Sequence, residues 1–317
     1  MSKKKQLDST QETNQSGNGP EGLHATSQLI AHSRAELGRV ISGQNEVIEE
    51  VLIAVLCQGH ALLEGVPGIA KTLIVKALGR LLGLGFQRVQ ATPDLMPADI
   101  LGTTILRPGS VDFAFHAGPV FTDLLLVDEI NRMPPRTQAA LLECMEERQV
   151  TSDGTRRPLP EAQLDRFLLK IRVAYPSEAE ERQILERHHG GSGAGLLEDV
   201  KIAPIPKGLL AAAGAEVRDL RIEPELTTYI LTLARRTREW PTLLLGASPR
   251  AAVSLMRVAQ AAAAFDGRDY LLPDDVKRAV LPVLRHRVML KPEAELEGFD
   301  ADRVLADVIA AVPVPRQ

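Results

Sequence analysis

The chain has 317 residues, of which 44% are apolar and 25% charged, enough for two ordinary domains whose core is aliphatic because aromatic residues make up only 3%. A net charge of −4 supplies no concentrated basic face, which argues against binding to nucleic acid. No apolar run approaches membrane-spanning length and no apolar leader opens the sequence, so a cytoplasmic protein with no membrane contact is expected.

Residues 1 to about 25 are rich in Lys, Gln, Ser, Thr, Asn and Gly and are expected to form a disordered tail. A helical pattern follows, and Val40-Ile41-Ser42-Gly43-Gln44 leads into an apolar helix over about 46–58. Residues 61–65 read as a short buried strand that runs into a Gly/Pro turn, after which 71–82 has helical periodicity. Further strands are predicted at 86–91, 124–127 and 167–173, and the run Leu124 to Val127 is apolar on both faces, as central parallel strands are. Strands alternating with helices predict an α/β fold with a parallel sheet. From about Pro176 the strand signals stop, and apolar residues recur at helical spacing over 178–188, 224–238, 249–265, 273–287 and 301–311. The expected organisation is a tail (1–25), an α/β core (26–175) and a small helical domain (176–317). Cys57 and Cys144 sit in apolar helical patterns without metal or redox spacing, and are expected to be buried thiols.

Two motifs carry chemistry. In Gly65-Val66-Pro67-Gly68-Ile69-Ala70-Lys71-Thr72, small residues let backbone N–H groups close around phosphate oxygens, Lys71 reaches the terminal phosphates, and the Thr72 hydroxyl is a magnesium ligand. Ala70 stands where the general pattern has Gly, at little cost, because φ stays negative in the first turn of a helix. Asp128 and Glu129 follow the apolar run 124–127 and so emerge at the C-terminal edge of a strand, where open α/β sheets bind ligands. There Asp128 can hold magnesium and Glu129 can activate water as a general base. A strand-ending acidic cap is the alternative for this pair taken alone. Together the motifs predict ATP and Mg2+ as ligands.

These segments, with TPDLMPAD at 92–99, GPVF at 118–121, DEINRMPP at 128–135, LLECMEERQV at 141–150, LPEAQLDRF at 159–167 and GASPRA at 246–251, resemble the MoxR-type AAA+ ATPases over most of the chain after the tail. The resemblance implies an AAA+ P-loop core with a parallel sheet flanked by helices, followed by a small all-helical lid. It implies that Arg166 is an arginine finger reaching the nucleotide of a neighbouring subunit, and that Arg250 is the sensor 2 residue of the lid. On the residues alone, each could equally be a surface arginine, Arg166 paired with Asp165 or Glu161 and Arg250 at a helix start. Val40, Ile41 and Gly43 resemble the adenine-contacting segment, with core packing as the other account. The hairpin read over 105–115, turning at Pro108-Gly109-Ser110, corresponds to an insert that faces the ring pore in relatives. Self-association into a ring, a hexamer, and chaperone-like remodelling of partner proteins, often with a von Willebrand A domain, are implied in the same way. His116, His188 and His189 show no ligand spacing and read as surface or structural residues.

One departure stands out. In the family, a buried strand ending in a water-positioning Asn, sensor 1, lies between the EERQV and LPEAQLDRF motifs. Here 151–158, Thr-Ser-Asp-Gly-Thr-Arg-Arg-Pro, leads directly into Leu159, with no apolar strand and no Asn between Val150 and Phe167. That strand is central in the AAA+ sheet, so its removal leaves two facing edges with unmet N–H and C=O groups, each costing about 1–3 kcal/mol when buried. The expected outcomes are closure of the two neighbouring strands, an inward shift of a later strand, or poor folding. Three functions follow as alternatives: an ATPase that remodels proteins, a nucleotide-binding scaffold with little or no hydrolysis, and a DNA-directed motor. The last lacks the basic groove it would need.

Overall fold

A computed structural model describes residues 23–41, 43–65, 71–106, 113–147, 149–152, 155–158, 167–189 and 201–315. Residues 1–22, most of the expected tail, lie outside the described residues, as do Ser42, Val66 to Ala70, the 107–112 turn and Arg166. Helix α1 (His24–Gly38) begins inside the stretch expected as tail. It is anchored there because the amides of Ala25 and Thr26 each donate to the Glu216 carboxylate at 2.8 Å.

The first half runs α2 (Asn45–Leu56), β1 (Ala61–Glu64), α3 (Lys71–Leu82), β2 (Phe86–Gln90), α4 (Pro97–Leu101), β3 (Gly102–Leu106), β4 (Phe113–Ala117), β5 (Leu124–Asp128), α5 (Pro135–Glu147), β6 (Gln149–Ser152), β7 (Thr155–Pro158), β8 (Leu169–Arg172) and α6 (Glu178–His189). Strand β1 pairs in parallel with β8, Ala61 opposite Leu169, and β2 pairs in parallel with β5, Phe86 opposite Leu124. Among the described residues, no backbone pairing joins these two pairs into one sheet. Among the described residues β1 and β5 have not closed up on one another, one of the outcomes expected for a strand missing between them.

Burial follows that line. In β8, Leu169 and Ile171 are fully buried. The run Leu124 to Val127 in β5, expected to be enclosed on both faces, is only half-buried along its whole length, and among the described residues one edge of β5 has no neighbouring strand. The hydrophobic core divides likewise. One large cluster takes Leu168, Leu169 and Ile171 together with α1, α2, α3 and the later helices, while a second takes Val89, Ala91, Ile100, Val120, Met133, Leu141, Cys144 and Met145. Helix α3 spans the division. Ile74, Leu78 and Leu81, spaced as one helical face, are fully buried in the large cluster. On another face α3 lies against β2 and β5 at Gly79, where a Cβ would sit in ordinary van der Waals contact with Phe86 Cβ at 3.4 Å and Leu124 Cδ2 at 3.5 Å.

The predicted hairpin forms from β3 and β4, antiparallel with Thr104 opposite Phe115. A second hairpin, β6 with β7, was not expected. Its signal was present in Asp153-Gly154, a hairpin-turn dipeptide. It is antiparallel and pairs with neither β1 nor β5 among the described residues, so it does not replace the strand between them.

The second half contains α7 (Leu209–Arg218), α8 (Pro224–Arg238), β9 (Leu243–Leu245), α9 (Pro249–Phe265), α10 (Pro273–Leu284), β10 (Met289–Leu290), α11 (Pro292–Leu296) and α12 (Ala301–Ala311). Four of these helices begin with Pro, whose fixed φ and missing N–H suit the first helical position. Helix α9 packs tightly because Ala259 and Ala261 to Ala264 are all buried and small. Strands β9 and β10 form a short antiparallel ribbon within this helical region. Where it meets β8, His286 Nε2 lies 2.9 Å from the Phe167 carbonyl, so the ring donates from Nε2, while Nδ1 is buried without a partner. Burial, with Arg287, Lys170 and Arg285 nearby, pulls the His286 pKa from 6.5 down to about 4.

Two outcomes follow from this packing. Ile171→Ala should destabilise the fold by about 3 kcal/mol and Leu125→Ala by about 1 kcal/mol in urea denaturation, whereas a continuous sheet would make the two costs similar. A His286 pKa depressed in the fold stabilises fully above about pH 6.5 and is lost as pH falls toward about 4. Thermal midpoints measured across that range should therefore fall more steeply for the native chain than for His286→Gln.

Candidate nucleotide site

The two halves of the chemistry come from opposite sides of the divided sheet. Strand β1 ends at Glu64 and leads through Gly65 to α3, whose first two residues are Lys71 and Thr72. The first turn of α3 directs unpaired backbone N–H groups and the positive end of its dipole toward the same place. Lys71 Nζ donates to the Gly65 carbonyl at 2.6 Å, so the ammonium folds back over the turn. Val66, Pro67, Gly68, Ile69 and Ala70, the remainder of the predicted phosphate cradle, lie outside the described residues.

Strand β5 supplies the carboxylates. Thr72 Oγ1 lies 3.5 Å from Asp128 Oδ2, which brings a hydroxyl and a carboxylate oxygen together across the α3–β5 contact. Two hard oxygen donors at this position suit a magnesium ion that keeps most of its waters. Arg88 competes for the same oxygen, with Nε 2.7 Å from Asp128 Oδ2. Glu129 follows with φ of 55°, a left-handed conformation uncommon outside Gly and one that marks functional turns. It is 48% exposed, and its Oε2 accepts from Gln90 Nε2 at 3.1 Å and pairs with Arg132 at 3.2 Å.

Arg88 and Gln90 were not singled out from the sequence. Alternation along β2 puts them on one face, but their role depends on the register that sets Gln90 opposite Asp128. Register between segments this far apart in the chain is not written in local pattern.

The other candidate residues sort as follows. Val40 and Ile41 are buried in the large cluster, their amides bonded to the Leu37 carbonyl at 3.0 and 2.8 Å, so their side chains serve the core. Gly43 has φ of 70°, and the Glu180 side chain of α6 occupies the space a Cβ would need. Arg250 is exposed in the first turn of α9, whose N-cap Ser248 accepts from Ala251 N at 3.1 Å. Its charge bears on Arg287, which lies beside the Phe167 carbonyl. Arg166 lies outside the described residues. His116 is exposed on β4. Cys57 and Cys144 are buried free thiols, as expected, and burial raises the Cys57 pKa to about 12. Among the described residues no helix is long and apolar enough to cross a membrane.

The chain matches the ATPase family associated with various cellular activities (AAA) over residues 60–162 and the AAA lid domain over residues 235–308. It is 39% identical to the uncharacterized protein YeaC of Bacillus subtilis, an alignment covering 94% of this chain and 97% of that one. It is 37% identical to Chaperone MoxR1 of Mycobacterium tuberculosis, over 94% of this chain and 85% of the relative. A solved structure from Cytophaga hutchinsonii, described as a "putative ATPase", superposes with a TM-score of 0.81 at 36% identity, covering 92% of this chain and 98% of that one. With a P-loop strand and helix, a strand-end Asp-Glu pair and a helical lid all in place, the chain belongs to the MoxR-type AAA+ ATPases.

Proposed function

We propose that this chain binds ATP with magnesium and, as a ring-forming, chaperone-like protein, uses it to remodel partner proteins. The observation that carries the reading is the convergence of Thr72 Oγ1 and Asp128 Oδ2 at 3.5 Å, beside Lys71 and the start of α3. In this reading residues 26–175 form the ATPase core and 176–317 the lid. The turn from Gly65 to Ala70 receives the phosphates, and Lys71 exchanges the Gly65 carbonyl for a phosphate oxygen. Thr72 and Asp128 would hold the cation, whose contribution when bound is neutralisation of phosphate charge. Glu129 takes a proton from the attacking water, with Gln90 and Arg132 orienting its carboxylate. Arg250 meets the nucleotide from the lid, and Arg166 reaches the nucleotide of the next subunit. Backbone around Val40, Ile41 and Gly43 faces the base.

The exposed apolar side chains Ile105, Leu106 and Phe113 of the β3–β4 hairpin suit contact with a protein client. A hexamer, a partner with a von Willebrand A domain and a cytoplasmic setting belong to the same proposal.

A second reading is favoured by the divided sheet. Phosphate contacts come from the β1 side and the water-activating Glu129 from the β5 side, and no strand fixes their spacing among the described residues. Catalysis needs that spacing far more than binding does, since misplacement by about 1 Å can cost ~100-fold in rate. The second reading is a nucleotide-binding scaffold with little turnover.

ATP affinity measured beside steady-state turnover separates the two. Lys71→Ala should weaken ATP binding by at least about tenfold, corresponding to loss of a charge-assisted phosphate contact. Glu129→Gln should leave affinity within about threefold and lower turnover by roughly 100-fold or more. Tight binding by the native chain with turnover no faster than that of Glu129→Gln would exclude the ATPase reading in favour of the scaffold. Arg88→Ala should tighten magnesium-dependent ATP binding by up to about fivefold at limiting magnesium, as expected on removing a partly exposed ion-pair competitor worth no more than ~1 kcal/mol. A magnesium titration with a fluorescent ATP analogue reads this directly.

A further inference from the structure

The turn after α10, Arg285-His286-Arg287, grips the backbone just before and within β8. Arg287 Nη2 donates to the Phe167 carbonyl at 3.0 Å and Nη1 to the Leu168 carbonyl at 3.2 Å. The same guanidinium reaches back into the lid, Nη1 to the Val283 carbonyl at 2.7 Å and Nη2 to Ser254 Oγ at 3.4 Å. His286 supplies a second donor to the Phe167 carbonyl, and Arg285 Nη1 donates to the Lys170 carbonyl at 3.3 Å while pairing with Asp302 of α12 at 3.1 Å. Three consecutive side chains of the lid therefore hold three carbonyls of residues 167–170.

What these carbonyls belong to gives the grip its meaning. The Leu168 amide donates to the His60 carbonyl, and β8 pairs along its length with β1, the strand that leads into Gly65. On the other side, Phe167 directly follows Arg166 in the chain. Within the lid, Ser254 lies four residues after Arg250 on α9, so both occupy one face of that helix. Among the described residues no carboxylate pairs with Arg287; its half-buried charge is met by carbonyl and hydroxyl oxygens alone. A guanidinium held by a rigid fork of such contacts fixes direction as well as distance, which an ammonium cannot do.

We propose that Arg287 is a positioning residue that ties the lid helices to the Phe167 and Leu168 carbonyls and so carries the nucleotide state met at Arg250 to β8. Movement of α9 and α10 on nucleotide binding shifts Ser254 and Val283, and Arg287 transmits that shift to the backbone just before β8. The proposal rests on the reading of Gly65 to Thr72 and Arg250 as nucleotide contacts.

Hydrogen–deuterium exchange of the full chain, with and without the non-hydrolysable β,γ-imido analogue of ATP and magnesium, tests it independently of turnover. In the native chain the analogue should change exchange at amides 168–173 by at least about threefold, together with a change at 250–258. In Arg287→Gln, analogue affinity should stay within about threefold and the change at 250–258 should persist, while that at 168–173 disappears. A response at 168–173 in Arg287→Gln equal to the native one overturns the proposal. If Arg287→Gln does not fold, Arg287→Lys decides: it keeps the charge without the fork, and should at least halve the response at 168–173, whereas a full native response overturns the proposal. A native chain that binds the analogue with no change at 168–173 overturns the proposal and leaves the ATP-binding reading standing. A native chain that does not bind the analogue overturns both.

Discussion

Among the described residues, no backbone hydrogen bond runs between β1 and β5, although β1 pairs with β8 and β5 with β2. A parallel sheet fixes the spacing of its strand ends through a continuous ladder of such bonds. Among the described residues the ladder stops in the middle of the candidate nucleotide site, with Gly65 and Lys71 approached from one half and Asp128 and Glu129 carried on the other. The same break appears in the core, where the large cluster ends with β8 and α3 while a smaller one gathers around β2, α4 and α5. It appears again in the half-burial of Leu124 to Val127, a sequence apolar enough for a fully enclosed strand.

Helix α3 keeps the halves in register. Its Ile74–Leu78–Leu81 face belongs to the large cluster, and its other side lies against Phe86 and Leu124 at Gly79. Because α3 also begins with Lys71 and Thr72, the element that bridges the halves is the one that would receive phosphate. The proposed phosphate contacts thus rest on a single helix, and the 3.5 Å approach of Thr72 to Asp128 goes with its packing on β5. The proposed water activation has no equivalent support, since Glu129 is held by Gln90 and Arg132, both of its own half.

Much of this was legible in the sequence, for physical reasons that can be named. The P-loop residues and Asp128-Glu129 are local in the chain, and their flanking strand and helix follow from apolar periodicity. The starts of the helices at Pro224, Pro249 and Pro273 were placed to the residue, at prolines that suit the first turn, while the last of them ends at Leu284, three residues short of the 287 expected. The absence of an apolar segment between Val150 and Phe167 marked the place where the sheet is disturbed, but not whether its neighbours close up. What escaped was set by tertiary contact. The positions of Arg88 and Gln90 depend on cross-strand register, the left-handed turn at Glu129 on its neighbours, and the hold of Arg287 on Phe167 on an approach of segments 120 residues apart. Helix α7 escaped because Ala and Gly give it a weak apolar rhythm, and the β9–β10 ribbon because strands of two or three residues carry no periodicity.

Native-state hydrogen exchange along β1, β5 and β8 tests the division of the sheet most directly. Amides of Leu124 to Asp128 and Ala61 to Glu64 that point away from β2 and β8, respectively, should exchange at least about 100-fold faster than that of Ile171, because no second strand pairs with them among the described residues. Uniformly slow exchange through both strands would mean that β1 and β5 are joined in one sheet, and would contradict the account.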